Sequence, residues 1–236
     1  VPAGLVRATP HEVVAVKPPG LPCEAPRDSS ADSLVRRLAA AGLGTLRLVH
    51  RLDAPACGLV LLARTREAAA HYAAEIEARR WHKWYVARLA RPARVAAGLV
   101  GAHKAYLKTE GRRARVVRAG GRPSFLDVAG IFPAPGRTDA AHALIRLHTG
   151  RFHQIRAMLA HLGAPLDGDP LYGGPPGGLY LEHAVLGAWT FGEAQWTVWE
   201  APGHPGRDRW DAALTAAVAA TAATARTAPP PRDPAR

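Results

Sequence analysis

Leu46-Arg47-Leu48-Val49-His50-Arg51-Leu52-Asp53-Ala54-Pro55-Ala56-Cys57-Gly58-Leu59-Val60-Leu61-Leu62-Ala63 sets a charged tetrapeptide between two apolar runs. The flanks read as short strands. Pro55 and Gly58 turn the chain sharply between them. If His50-Arg51-Leu52-Asp53 stays extended, Arg51 and Asp53 project to one side and His50 to the other. Asp after a strand commonly caps a turn. A carboxylate presented beside Arg and His between buried strands also suits a nucleophile or base held in a cleft.

Outward from this loop, strands and helices alternate irregularly. Val13 to Val16 reads as a strand entering a rigid turn, Lys17-Pro18-Pro19-Gly20-Leu21-Pro22. Asp32 to Ala41 reads as a helix closed by Gly42 and Gly44. Thr65 is the expected N-cap of a helix reaching about Arg79. Trp81 to Leu89 reads as a strand, as do Arg113 to Arg118, Ser124 to Ile131 and Ala141 to His148. Gly120-Gly121 is the expected hairpin turn between Arg113–Arg118 and Ser124–Ile131. Gln154 to Leu162 reads as a helix closed by Gly163. Beyond Gly168 the chain reads as loop-rich, with a flexible Gly173–Gly178 segment and a late strand at Gln195 to Trp199. Trp210 to Ala220 forms a weak helix at most, and Thr221 to Arg236, rich in Ala, Thr, Pro and Arg, reads as a disordered tail. Many strands with few, separated helices indicate an α+β fold. The domain expectation is one catalytic domain over 1–206, followed by the weak helix and tail over 207–236.

Composition bounds the partners. The 236 residues carry a formal charge of +12, a charge that favours a polyanion and nucleic acid first. An anionic membrane surface competes, but the best amphipathic candidate, Thr65 to Arg79, has too little apolar bulk. No run reaches the length of a membrane span, and the N-terminus lacks a signal-peptide pattern. Cys23 and Cys57 are too few for a disulfide framework and read as free thiols in a reducing cytosol. His148 with His153, and His50 with His183, lack metal-ligand spacing, and no Walker loop is present.

Two further constellations carry chemistry. In Thr149-Gly150-Arg151-Phe152-His153-Gln154-Ile155-Arg156, the helix puts Ile155, Met158, Leu159 and Leu162 on an apolar face, and His153 and Arg156 on a polar one. In Lys83-Trp84-Tyr85, Lys83 and Tyr85 share a strand face. A Tyr beside a Lys suits stacking on an unpaired base next to a phosphate.

Four ordered blocks together resemble the RluA family of RNA pseudouridine synthases: Val14–Leu21; His50–Asp53 with Gly58-Leu59; Lys83-Trp84-Tyr85; and Thr149–Arg156 continuing through Ala160–Gly163 to Gly168-Asp169-Pro170-Leu171-Tyr172-Gly173. The resemblance runs from about Val13 to Glu200. It implies a mixed, mostly antiparallel sheet in two subdomains with flanking helices. It also implies a cofactor-free isomerase acting on uridine in structured rRNA or tRNA; separately from the resemblance, a cytoplasmic monomer with no metal and no obligate protein partner is the default expectation. Asp53 would be the catalytic acid, either adding to ribose C1′ or abstracting a ribose proton. Tyr85 would stack on the flipped base, and Arg156 would pair with Asp53. His50, Arg51, Lys83, Arg151 and His153 would contact RNA. A non-catalytic RNA-binding or folding-helper protein on the same fold is the rival reading. The chain departs from the family pattern at Ala56-Cys57, where Thr-Ser is usual, and at Glu182, where Leu precedes His-Ala. No S4 domain is expected ahead of Val13.

Overall fold

The computed structural model describes residues 4–26 and 30–230. In chain order the elements are β1 (Leu5–Ala8), β2 (Glu12–Lys17), α1 (Leu34–Leu38), β3 (Arg47–Leu48), β4 (Cys57–Ala63), α2 (Arg66–Glu77), β5 (His82–Leu89), α3 (Ala93–Ala96), β6 (Gly101–Glu110), β7 (Arg113–Val117), β8 (Arg122–Ala134), β9 (Arg137–Leu147), α4 (Gln154–His161), β10 (Leu181–Trp189), β11 (Trp196–Glu200) and α5 (Ala212–Thr227). The fold is α+β, with mostly antiparallel strand pairing. Two units divide the chain. The first takes residues up to His82, His183–Gly206 and the chain from Ala220. The second takes Lys83–Glu182 and Arg207–Ala219.

In the first unit β1 pairs with β2, β2 and β3 with β4, and β11 with β10, all antiparallel. The β10 backbone at His183 lies so close to Gly58 that a Cβ there would meet it at 2.4 Å, and Gly58 has φ +104. Only glycine lets β4 begin in that position. β4 is buried along its whole length, so it reads as a continuous apolar run rather than an alternating one. Val14, Val16, Leu59, Leu61, Ala68, Tyr72, Trp81 and Leu186 form the core. Thr65 caps α2 by accepting from Ala68 N–H at 3.1 Å.

In the second unit β5 pairs with β9, β9 with β8, β8 with β6, and β6 with β7, again antiparallel. Here the structure corrects the expected hairpin. β6, which the sequence reading left out, lies between β7 and β8, so Gly120-Gly121 links two strands that do not pair. The tight turn lies at Gly111-Arg112, where Gly111 has φ +57. β6 (GAHKAYLKTE) contains only one β-branched residue, so local preference gives little strand signal. Val86, Leu89, Leu126, Ile145, Met158, Leu159 and Leu166 are fully or nearly fully buried in this unit.

The tail is also corrected. α5 runs to Thr227, well into the stretch expected to be disordered. Asp211 caps it by accepting from Leu214 N–H at 2.7 Å. Trp196 Nε1 donates to Ala225 O at 2.7 Å, and Arg226 pairs with Glu200 at 2.6 Å. Alanine has the highest helix propensity, so a composition that looked featureless is a helix with small buried residues, among them Ala222 and Ala225. Residues 231–236 of the expected tail lie outside the described residues. Among the described residues, no helix is long and apolar enough to cross a membrane.

Candidate active site

Within the first unit the Asp53 loop is held from beneath. Lys17, fully buried at the end of β2, donates to Leu21 O at 2.6 Å, to Pro18 O at 3.0 Å and to Ala54 O at 3.0 Å. Gly20 N–H donates to the same Ala54 carbonyl at 2.8 Å, and Ala56 N–H closes back on Asp53 O at 3.1 Å. Cys23 grips the preceding residue from both sides: Leu52 N–H donates to its sulfur at 3.3 Å, and its thiol donates to Leu52 O at 3.5 Å. Burial pushes the Cys23 thiol pKa up, keeping it in the neutral form that can donate. Burial pulls Lys17 down to about 8, against the opposing pull of Cys23, Cys57 and Asp53.

These contacts leave Asp53 half-buried and Arg51 exposed. His50 faces the other way: its Nε2 accepts from Leu61 N–H at 2.9 Å. Its ring meets Trp81 and His183 edge-on, with centroids 5.1 and 5.8 Å apart. Accepting at Nε2 fixes the neutral tautomer with the proton on Nδ1. His50 therefore ties the loop to β4. Neither Lys17 nor Cys23 was singled out from the sequence as a loop support. The available signal was a lysine ending an apolar strand directly before Pro-Pro-Gly. Ala56 and Cys57 are themselves buried. The backbone around Asp53 is thus organised by an ammonium, a thiol and an imidazole, without the two hydroxyls that Thr-Ser would bring.

The second unit brings Tyr85, Lys83, Arg151, His153 and Arg156 onto neighbouring elements. Lys83 and Tyr85 share the buried face of β5, 8% and 6% exposed. The Lys83 ammonium lies beside Gly150, whose hypothetical Cβ would be 3.6 Å from Nζ. Burial, then the neighbouring Arg151 charge, lowers the Lys83 pKa to about 8. The Lys83 ammonium makes no hydrogen bond or ion pair among the described residues, and Arg151 Nε is buried without a bonding partner. Two neighbouring cations in this state suit an anion.

Gln154 shapes the turn that carries Arg151. Its carbonyl accepts from Thr149 Oγ1 at 2.8 Å and Arg151 N–H at 3.1 Å, and its amide donates to Phe125 O at 3.0 Å. His153 was expected on a polar face shared with Arg156, but it precedes α4 as its left-handed cap, φ +51. Its ring stacks on Phe152 with centroids 3.8 Å apart, and Nδ1 lies 3.0 Å from the Tyr172 hydroxyl. Arg156 is buried, as is α4 from Gln154 through Leu159. It donates to Asp169 through Nε and a terminal nitrogen at 2.7 and 2.8 Å, and its guanidinium lies 5.0 Å from the Tyr172 ring centroid. Asp169 and Tyr172 had been quoted only as part of a motif, with no role of their own.

Comparisons with known proteins identify the family. The family model described as RNA pseudouridylate synthase matches residues 11–161. The ribosomal large subunit pseudouridine synthase D of Xanthomonas campestris is 33% identical over 180 residues, covering 74% of this chain and 53% of that protein. Its counterpart of the same name in Xylella fastidiosa is 32% identical over 196 residues, covering 79% of this chain and 57% of that protein. The chain spans somewhat more than half the length of these curated relatives. The solved structure of human RNA pseudouridylate synthase domain containing 1 has a TM-score of 0.72 at 19% identity, covering 97% of this chain and 96% of that one, which shows a shared fold. The chain belongs to the RNA pseudouridylate synthase family, and within it to the RluA type.

Proposed function

We propose that this protein isomerises uridine to pseudouridine in structured ribosomal or transfer RNA, without a cofactor, as a monomer in the cytosol. The observation that carries the reading is the Asp53 loop: a half-buried carboxylate whose flanking backbone is fixed by Lys17, Gly20 and Cys23. Binding alone needs no such fixed acid. The curated relatives' names point to large-subunit ribosomal RNA as the first substrate to try.

In this reading the C1′–N1 bond of the target uridine breaks, the uracil turns, and the ring rejoins the ribose through C5, with the C5 proton lost to solvent and a proton taken up at N1. Asp53 is the acid at the ribose. Tyr85 stacks on the extruded base, and Arg156, oriented by Asp169, is the cation assigned to the reaction. Lys83 and Arg151 take a phosphate of the same strand. Arg51, exposed beside Asp53, enters the space the uridine leaves. His50 and His153 serve RNA binding through the loop and the helix start they hold.

The test is nucleoside analysis of an unmodified large-subunit rRNA transcript and a tRNA transcript after incubation with the protein. Pseudouridine in at least one is expected. RNA that is bound but yields none with the wild-type protein would favour the non-catalytic binding reading.

A further inference from the structure

We propose that the solvent face of β6, β7 and β8 is a second RNA-binding surface, one that stacks an unpaired base on Tyr106 and tracks the phosphates of a single strand with Lys104, Lys108, Arg113 and Arg115. The proposal rests on the reading that the substrate is RNA, but not on the catalytic roles given to Asp53, Tyr85 or Arg156.

Strand periodicity separates the two faces. Leu107, Ala114, Ser124 and Leu126 point inward and are buried. Lys104, Lys108, Arg113 and Arg115 alternate with them and are exposed. Tyr106 stands among these cations at 39% exposure. Its neighbour Lys104 holds its ammonium 5.4 Å from the Tyr106 ring centroid and 5.7 Å from that of Phe125. Two carboxylates share the face, and both are engaged: Glu110 by Arg115 at 3.1 Å, and Asp127 by His148 at 2.6 Å.

Register makes the charge pattern costly. Lys108 lies directly opposite Arg115 across the β6–β7 pair; like charges facing each other destabilise a sheet, and Glu110 offsets this through its pair with Arg115 alone. Charges on an edge strand discourage edge-to-edge association, and that accounts for Arg113 and Arg115 on β7. It does not account for Lys104, Lys108 and an exposed tyrosine on β6, which is paired on both sides. A polyanion with exposed bases satisfies both features: phosphates relieve the repulsion, and a base covers the ring. Lys83 and Tyr85 lie on the opposite, buried face of the same sheet, to which the register connects them through β9 and β8. The surface therefore holds a strand away from the target nucleotide.

The test is fluorescence anisotropy with the full chain, a labelled oligouridine of about 12 nucleotides, and an RNA duplex of the same length. Tyr106→Ala is expected to weaken oligouridine binding by roughly tenfold, and Tyr106→Phe to leave it within about twofold. Lys108→Gln with Arg115→Gln is expected to reduce the salt dependence of log K by about 1.4, for two lost phosphate contacts. Tyr106→Ala should spare duplex binding, where no base is open for stacking. Asp53→Asn should bind as the wild type does, so loss of isomerisation and loss of this surface are read separately. Oligouridine binding unchanged in both the Tyr106→Ala and the charge variant overturns the proposal. Loss in the charge variant alone also overturns it, because the face would then follow a backbone without stacking a base.

Discussion

Arg156 and Asp169 form a doubly hydrogen-bonded pair, 2.7 and 2.8 Å, with both side chains buried. Asp169 is therefore the residue that orients the guanidinium assigned to the reaction. A buried pair contributes little net stability when intact, but losing one partner strands the other's charge. Asp169→Asn is expected to cost about 3–5 kcal/mol in urea unfolding and to abolish isomerisation. The double variant Arg156→Met with Asp169→Leu should recover most of that stability and none of the activity. A double variant as unstable as the single one would contradict the assignment.

Lys83 gives a pH signature. The unfolded chain holds this proton to about 10.5 and the folded one only to about 8. Below pH 8 the folded state bears the cost of a buried charge. Between 8 and 10.5 the unfolded state binds more protons, so stability rises with pH and the cost fades. Lys83→Met should therefore be more stable than wild type at pH 7, by an amount on the order of 3 kcal/mol, with the gap closing as the pH approaches 10. A gap constant across that window would show that Lys83 does not titrate there. RNA affinity should move the opposite way. The wild type should lose affinity through pH 8, and Lys83→Arg, which stays charged, should not.

Cys23 is predicted to matter through geometry. Cys23→Ser keeps a donor and an acceptor for Leu52, and Cys23→Ala keeps neither. The alanine variant should lose about 1–2 kcal/mol of stability and about tenfold in kcat, with KM little changed. The serine variant should lie between it and wild type. A KM effect without a kcat effect would place Cys23 in substrate binding instead.

Removing residues 220–236 deletes the second half of α5 and leaves Trp196 Nε1 without its carbonyl. Losing that hydrogen bond and the burial of Ala222 and Ala225 costs about 1–3 kcal/mol. The truncated chain should show that loss by thermal unfolding and a lower helical signal in circular dichroism. Unchanged unfolding would restore the reading of this segment as a solvated tail.

Where the sequence was legible, one strong local signal stood alone. β4 is a continuous apolar run and β2 holds one at Val13–Val16, α2 begins at a threonine cap, and α4 ends before Gly163, which has positive φ. Misreadings came where local and tertiary preferences diverge. β6 has few β-branched residues and is a strand because β7 and β8 flank it. Residues 221–227 look like low complexity until the buried positions of α5 are known. The extent of β10 was hidden by the glycines before it and by Glu182, an acid at a fully buried position. That acid pairs with Arg207 within the second unit, a partner 25 residues away that no local pattern announces. Asp53, Tyr85 and Arg156 stood out in the sequence as candidates. Their supports, Lys17, Cys23, Gln154, Asp169 and Tyr172, were not, because each acts through a contact that only folding creates.

The central claim is that Asp53 on its clamped loop drives uridine isomerisation. Its most direct test is tritium release from RNA labelled at uracil C5, comparing wild type with Asp53→Asn at matched RNA binding. The account predicts release from the wild type and none from the variant. Equal release from both would contradict it.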